Sequence, residues 1–197
     1  MSTIFAGNKS EGKPVLVLVH GFGGSGALWY RVFKRLAEHY YVIAFDIIGM
    51  GASSRPVFTA KNYVEANAYM LRIIEDWRKH LELTNFVLAA HSYGAYLSGL
   101  YASWKPEHIK KLMLLSPLGV KQRPENFELK QLRFQAGRAP PRWFAPLANA
   151  LWGKLTPFSI ARKLGVERVK RAIAGYIDQH QPISDPAEKA AMQEYLY

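Results

Sequence analysis

Phe86-Val87-Leu88-Ala89-Ala90-His91-Ser92-Tyr93-Gly94-Ala95-Tyr96-Leu97-Ser98-Gly99-Leu100 passes from a strand-like apolar run into a helix-like one, with a serine between them. Strand, sharp turn and helix with serine at the apex is the setting of a nucleophile elbow. The usual pattern is G-x-S-x-G; here Ala90 fills the first small position and Gly94 the second. Both must be small, because the serine sits in a strained backbone conformation while strand and helix pass close by. The pentapeptide alone fits an ordinary strand-to-helix turn equally well. Its surroundings decide.

Working outward, Pro14-Val15-Leu16-Val17-Leu18-Val19 is continuously apolar and rich in valine, which predicts a strand buried on both faces. It opens into His20-Gly21-Phe22-Gly23-Gly24-Ser25-Gly26. Glycine at that density lets backbone N–H groups turn toward an anion. The lysine of G-x-x-x-x-G-K-[ST] is missing, however, and G-x-G-x-x-G is not matched. Thr3 to Gly7 reads as the tail of a strand and Asn8 to Lys13 as a turn. Ser25 is the expected N-cap of a helix with Leu28, Val32, Phe33 and Leu36 on one face. Tyr41-Val42-Ile43-Ala44-Phe45 is a second buried strand ending at Asp46, and the glycines and proline of Ile47 to Pro56 enforce a loop.

From Val64 to Leu83 apolar residues recur at helical spacing, and Lys111-Leu112-Met113-Leu114-Leu115-Ser116 is a further strand. Strands alternate with helices, so the expected fold class is α/β: a doubly wound, mostly parallel sheet. After Pro117 the strands stop, and helical segments rich in arginine and tryptophan, separated by prolines, take over. The boundary is expected near Val120, with residues 1–120 as the core and 121–197 as a helical cap or lid. Asp185-Pro186-Ala187-Glu188 carries an N-cap, a proline at the first helical position and an acid two residues on, so it opens a helix. That helix runs to Tyr197 without a terminating cap, which suggests a fragment, a split product or a truncated cap.

Composition sets the limits. With 197 residues, 49% of them apolar, the chain can build one substantial core. It has no run of eighteen apolar residues to span a membrane and no signal-peptide pattern at Met1 to Lys13. With no cysteine there is neither a disulfide nor a thiolate metal site, and no metal or other cofactor is expected. The net charge of +11 is uneven: from Lys110 to Arg171 there are fourteen Lys or Arg against Glu125, Glu128 and Glu167. Such a basic half suits an anionic lipid surface, because Trp143, Phe144 and Trp152 are interleaved with the charges; a solvated helical face over core aromatics is the plainer reading. Nucleic acid is not an expected partner, since no recognition motif accompanies the charge.

His20-Gly21-Phe22-Gly23-Gly24 after the first long strand resembles the oxyanion loop of α/β hydrolases. Together with the elbow, the Ser53-Ser54-Arg55-Pro56 loop, Glu75-Asp76-Trp77-Arg78, Ser116-Pro117-Leu118-Gly119 and Thr156-Pro157-Phe158, it resembles the subfamily of α/β-hydrolase domain proteins four and five. That branch holds lysophospholipases and a lipid-droplet lipase coactivator. The resemblance covers about Pro14 to Tyr197 and implies an acyl-lipid substrate, with Ser92 as nucleophile and the backbone N–H groups of Phe22 and Tyr93 as oxyanion hole. Gly21, Gly23 and Gly94, with His20 and His91, would support the loop and elbow. The family continues into further strands with a catalytic acid, a histidine and a His-x-x-x-x-Asp motif linked to acyl transfer, which this sequence lacks; the chain by itself is expected to be inactive. The coactivator has asparagine where this chain keeps Ser92.

His20 and His91 are read as structural or, alternatively, as general base. Asp46 is read as organising its loop rather than as the catalytic acid, and Arg55 as organising the same loop, pairing with an acid or a lipid headgroup. The leading function is a serine ester hydrolase of lysophospholipids or N-acyl phospholipids. Its alternatives are a non-catalytic regulator of lipid metabolism, binding lipid surfaces and a protein partner, or a lysophosphatidic acid acyltransferase. The expected location is intracellular, peripheral on membranes, lipid droplets or mitochondria.

Overall fold

The computed structural model describes residues 1–119, 163, 165–180 and 183–196, and the chain divides into two compact units, Met1–Lys121 and Gln122–Tyr197. Five strands in the first unit form one sheet: β1 (Thr3–Ala6), β2 (Val15–Val19), β3 (Tyr41–Phe45), β4 (Phe86–His91) and β5 (Ile109–Leu115), in spatial order β1-β3-β2-β4-β5. Only β1 runs antiparallel, at one edge; β3, β2, β4 and β5 are mutually parallel, with Val17 opposite Ile43 and Leu88, and Ala90 opposite Leu114.

The continuous apolar runs become central strands because both sheet faces are covered. Val17, Val19, Ile43, Phe45, Leu88 and Ala90 point to one side, where they meet Ile74 and Trp77 of α2 (Tyr63–His80) and Ala95, Leu97 and Tyr101 of α3 (Ser92–Trp104). Their neighbours Leu16, Leu18, Val42, Ala44, Val87 and Ala89 point to the other, against Trp29, Phe33, Leu36 and Ala37. Phe33, Leu36 and Ala37 lie on α1 (Tyr30–Ala37). A strand with a period of two thus supplies two cores, and its sequence shows no polar alternation. The chain crosses from β2 to β3 over one face and returns from β3 to β4 over the other, which is the doubly wound arrangement.

The first helix departs from expectation. A 3₁₀ turn over Gly26–Trp29 precedes α1, and Ser25 makes no side-chain cap; its hydroxyl is buried without a hydrogen-bond partner among the described residues. Val32 is exposed, and Trp29 takes the place on the buried face that Val32 was expected to fill. Helix α2 is capped by a box that the periodicity did not reveal: Asn62 Oδ1 accepts from Glu65 N at 3.0 Å, and Glu65 Oε2 accepts from Lys61 N at 2.8 Å.

A buried ion pair ties α2 to α3. Arg78 donates from Nε and Nη2 to the Glu75 carboxylate at 2.9 and 3.0 Å and from Nη1 to Leu83 O at 2.6 Å, while the Tyr101 hydroxyl donates to Glu75 Oε2 at 2.6 Å. The Arg78 hydrogen bonds hold the Glu75 carboxyl at about 2, against burial, and burial raises the Tyr101 hydroxyl. At the far edge of the sheet β5 pairs with β4, and Leu112, Met113, Leu114 and Leu115 are exposed.

In the second unit α4 (Val166–His180) and α5 (Pro186–Leu196) run antiparallel, fastened by Lys170–Glu194 at 2.8 Å and by Lys189–Asp178. The Asp185 carboxylate caps α5, accepting from Ala187 N and Glu188 N at 2.8 and 3.1 Å. Trp143, Phe144, Trp152 and Thr156-Pro157-Phe158 lie outside the described residues.

Arg78→Met strands the buried Glu75 carboxylate and is expected to cost about 3–5 kcal/mol of stability, read by urea unfolding. A loss below about 1 kcal/mol would mean that water already reaches the pair.

Candidate active site

Consecutive crossovers reverse direction between β2 and β4, and the crevice outside the carboxyl ends of such a pair is where ligands bind in open α/β sheets. The two segments leaving those ends are His20–Gly26 and the Ser92 turn. Ser92 has φ +51°, one of four non-glycine residues with positive φ among those described. It is the first residue of α3, so the chain turns from strand to helix within one residue. Strand Ala90 is fully buried.

The turn closes only because its neighbours lack side chains. A Cβ on Gly94 would overlap the His20 carbonyl oxygen and meet Val19 Cγ1 at 2.9 Å. One on Gly21 would lie 3.1 Å from Ser92 Cβ and 3.0 Å from His91 Nδ1. The glycine loop therefore runs directly against the elbow. Gly23 has φ +71° in a turn closed by Gly24 N donating to Gly21 O at 3.1 Å. From the other side, Leu118 N donates to the Ser92 carbonyl at 3.1 Å, following the positive φ of Ser116.

Phe22 and Tyr93 meet edge to face, ring centroids 6.2 Å apart, and Tyr93 stacks on Tyr96 at 6.3 Å. Asn67 of α2 donates to the Tyr96 hydroxyl at 2.7 Å. Burial first, and Tyr96 second, raise the Tyr93 hydroxyl above its ordinary value. The Tyr93 N–H belongs to the first turn of α3, where no intrahelical acceptor exists, and the Phe22 segment faces it across the contact of the two rings.

His20 is buried with both ring nitrogens engaged. Nδ1 pairs with Gly21 O at 2.7 Å, and Nε2 accepts from Ile47 N at 2.9 Å. A nitrogen that accepts from a backbone N–H carries no proton, so Nδ1 is the donor and the ring is neutral. Burial, the largest effect, lowers its affinity for a proton, partly offset by the Gly21 hydrogen bond and Asp46. Neither nitrogen is open to take a proton from Ser92. Asp46, 1% exposed, accepts from Gly26 N at 2.6 Å and Ala52 N at 2.7 Å, while Ser53 Oγ donates to its carbonyl at 2.6 Å. It ties the loop after β2 to the loop after β3. Among the described residues Arg55 pairs with no acid: it donates to Ser53 O at 3.1 Å and Gly51 O at 2.9 Å.

His91 is exposed at the end of β4, its ring beside Gly21. His39, His80 and His108 precede β3, end α2 and precede β5, so all three lie at the amino ends of the strands, opposite Ser92. Among the described residues no side chain hydrogen-bonds Ser92 Oγ, and no cluster of three metal-ligating side chains occurs.

The chain matches a family model described as alpha/beta hydrolase fold over residues 14–165. It is 36% identical to a protein of Oryza sativa subsp. japonica named probable 1-acylglycerol-3-phosphate O-acyltransferase, covering 96% of this chain and 46% of that one. To the Rattus norvegicus 1-acylglycerol-3-phosphate O-acyltransferase ABHD5 it is 33% identical over 98% of this chain and 52% of that one. To the Homo sapiens (lyso)-N-acylphosphatidylethanolamine lipase it is 30% identical, over 99% and 54%. The chain spans about half the length of these curated relatives.

Two outcomes are expected at the site. Because Ser92 holds a left-handed conformation, Ser92→Gly is expected to be about 1 kcal/mol more stable than Ser92→Ala, as measured by urea unfolding; equal stabilities would show that the turn carries no strain. Because His20 must be neutral to accept from Ile47, the unfolded chain takes up its proton first as the pH falls through 6.5. Stability is therefore expected to drop below that pH and to level off once the folded ring titrates too. His20→Gln should flatten this slope, and an unchanged slope would assign it to another group.

Proposed function

We propose that Ser92, in a chain that belongs to the alpha/beta hydrolase fold family, is the nucleophile of a carboxylic-ester hydrolase acting on acyl lipids, either lysophospholipids or N-acyl phospholipids. The observation that carries this reading is the left-handed Ser92 at the head of α3, pressed against a glycine loop at the sheet's switch point. Such a conformation costs of order 1–3 kcal/mol, and at the head of α3 it sets the serine at the apex of the strand-to-helix turn on the carboxyl rim. The name of the human relative, a (lyso)-N-acylphosphatidylethanolamine lipase, supports the substrate class.

In this mechanism Ser92 Oγ attacks the acyl carbonyl, and the charge that develops on its oxygen is taken by the N–H groups of Tyr93 and Phe22. Tyr93, Tyr96 and Phe22 give the acyl chain an apolar wall. The proton of Ser92 needs a base: His20 is fully committed and His39, His80 and His108 stand at the opposite rim, so among the histidines of the first unit His91 is the one beside the elbow with its ring open. Asp46 and Arg55 position the loops and do not touch the reacting atoms. The ester C–O bond then breaks, the alcohol leaves with the proton that the base took from Ser92, and water hydrolyses the acyl-enzyme to the free acid and Ser92.

The names of the rice and rat relatives favour a second outcome at the same serine, in which a lysophosphatidic acid hydroxyl replaces water as the acceptor. The basic second half, with Arg168 and Arg171 exposed on α4, suits an anionic lipid surface as the place where either substrate is met.

A fluorophosphonate probe, which reacts with activated serines, separates these statements. In the longest form of the protein that hydrolyses a short acyl ester, the label is expected on Ser92. Ser92→Ala should lose both the label and at least about 10³-fold of turnover. Turnover retained in Ser92→Ala would sink the assignment.

A further inference from the structure

The segment that leads from the Asp46 loop into α2 is anchored at both ends and bare in the middle. At its start Arg55 is folded onto the Ser53 and Gly51 carbonyls; at its end the Asn62–Glu65 box fixes the first turn of α2. Between these anchors Val57, Phe58, Tyr63 and Val64 are 87, 54, 77 and 60% exposed. Phe58 meets Tyr69 edge to face, centroids 5.4 Å apart, which steadies its ring without covering it. Four large apolar side chains in the open within eight residues form a patch, and patches of this kind mark contact with an apolar partner.

The charges beside the patch indicate which partner. Residues 54–64 contain Arg55 and Lys61 and no acid. The nearest carboxylate, Glu65, is occupied by Lys61 N and by Asn62 Nδ2 at 2.8 and 2.7 Å. An apolar tip flanked by cations, on a protein of net charge +11, has the composition that enters the boundary between acyl chains and anionic headgroups. Position fits as well. The segment follows the carboxyl end of β3 and precedes α2, so it stands on the same rim of the sheet as Ser92, and α2 reaches the site directly through Asn67 and the Tyr96 hydroxyl.

We propose that Arg55–Val64 is a membrane-contact segment. Val57 and Phe58 enter the acyl region of an anionic phospholipid surface, Arg55 and Lys61 lie at its phosphates, and the rim bearing Ser92 faces the lipid. The segment belongs to the core and is distinct from the basic second half of the chain. That the contact delivers substrate rests on the acyl-lipid reading of Ser92; the contact itself does not.

The protein has no cysteine, so Val57→Cys gives a single site for an environment-sensitive fluorophore in the full chain. Glu38→Cys, exposed where α1 ends at the amino ends of the strands, is the control. With vesicles of phosphatidylcholine containing phosphatidylglycerol, the label at 57 is expected to shift to the blue and to be quenched by brominated acyl chains, while the label at 38 changes little. Val57→Asp with Phe58→Asp should weaken vesicle binding by about tenfold or more. Ser92→Ala should bind as the parent does, so failure of the esterase reading leaves this measurement standing. Three results would overturn the proposal: no vesicle binding, binding that leaves the label at 57 in water, or a label already shielded before vesicles are added. The last would mean that another part of the chain or a second copy covers the patch. Should the double aspartate variant not fold, the quenching of the label at 57 still decides.

Discussion

No side chain can stand at residue 94, because the His20 carbonyl oxygen occupies the place of its Cβ. This approach sets the distance between α3 and the end of β2, and most of the carboxyl rim follows from it. With α3 so close to β2, the chain leaving β4 has one residue in which to turn, and that residue is Ser92 at φ +51°. The same closeness brings Gly21 beneath the elbow and sets the Phe22 segment opposite the first turn of α3. Leu118 N, donating to the Ser92 carbonyl, braces the turn from the β5 side. The strain at one serine is thus held by backbone contacts from three strands' ends, which is the over-determination that such a conformation requires.

The polar residues around the elbow serve its rigidity. His20 accepts from Ile47 N, and Asp46 accepts from Gly26 N and Ala52 N, so each of the two loops is held by a side chain from the other strand's end. An imidazole that donates on one side and accepts on the other is stabilised in its neutral form, which is not the state of a group waiting to exchange a proton with substrate. The buried acid and imidazole thus hold the loops on either side of the Ser92 turn.

The sheet was legible because a strand buried on both faces announces itself in unbroken runs such as Val15–Val19 and Tyr41–Phe45, and the elbow because small residues two places either side of a serine have a steric meaning. The start of α1 was not. Ser25 has the chemistry of a cap, but the chain tightens into a 3₁₀ turn first, and burial against the sheet selects Trp29 over Val32, a tertiary preference that local periodicity does not encode. Arg55 bonds the carbonyls of Gly51 and Ser53, partners within its own loop that the charge alone does not reveal. The two loops' mutual bonding through His20 and Asp46 was equally out of reach, since their partners lie 27 and 20 residues away.

Parallel strands give the first unit two chemically different ends. At the amino ends stand Glu38, His39, Lys79, His80, Glu107 and Lys110, all exposed and charged or titratable. At the carboxyl ends stand Phe22, Val57, Phe58, Tyr63 and Leu118, exposed and apolar or aromatic, beside the exposed Arg55, Lys61 and His91. Helix boundaries alone do not produce this difference, because loops occur at both ends and loop residues are polar by default. Strand direction does: the carboxyl ends are where open α/β sheets gather their ligands, and the exposed apolar side chains of Phe22, Val57, Phe58 and Leu118 stand on that rim with Ser92. The proposed acyl-lipid reading of Ser92 and the proposed membrane contact both draw on this placement.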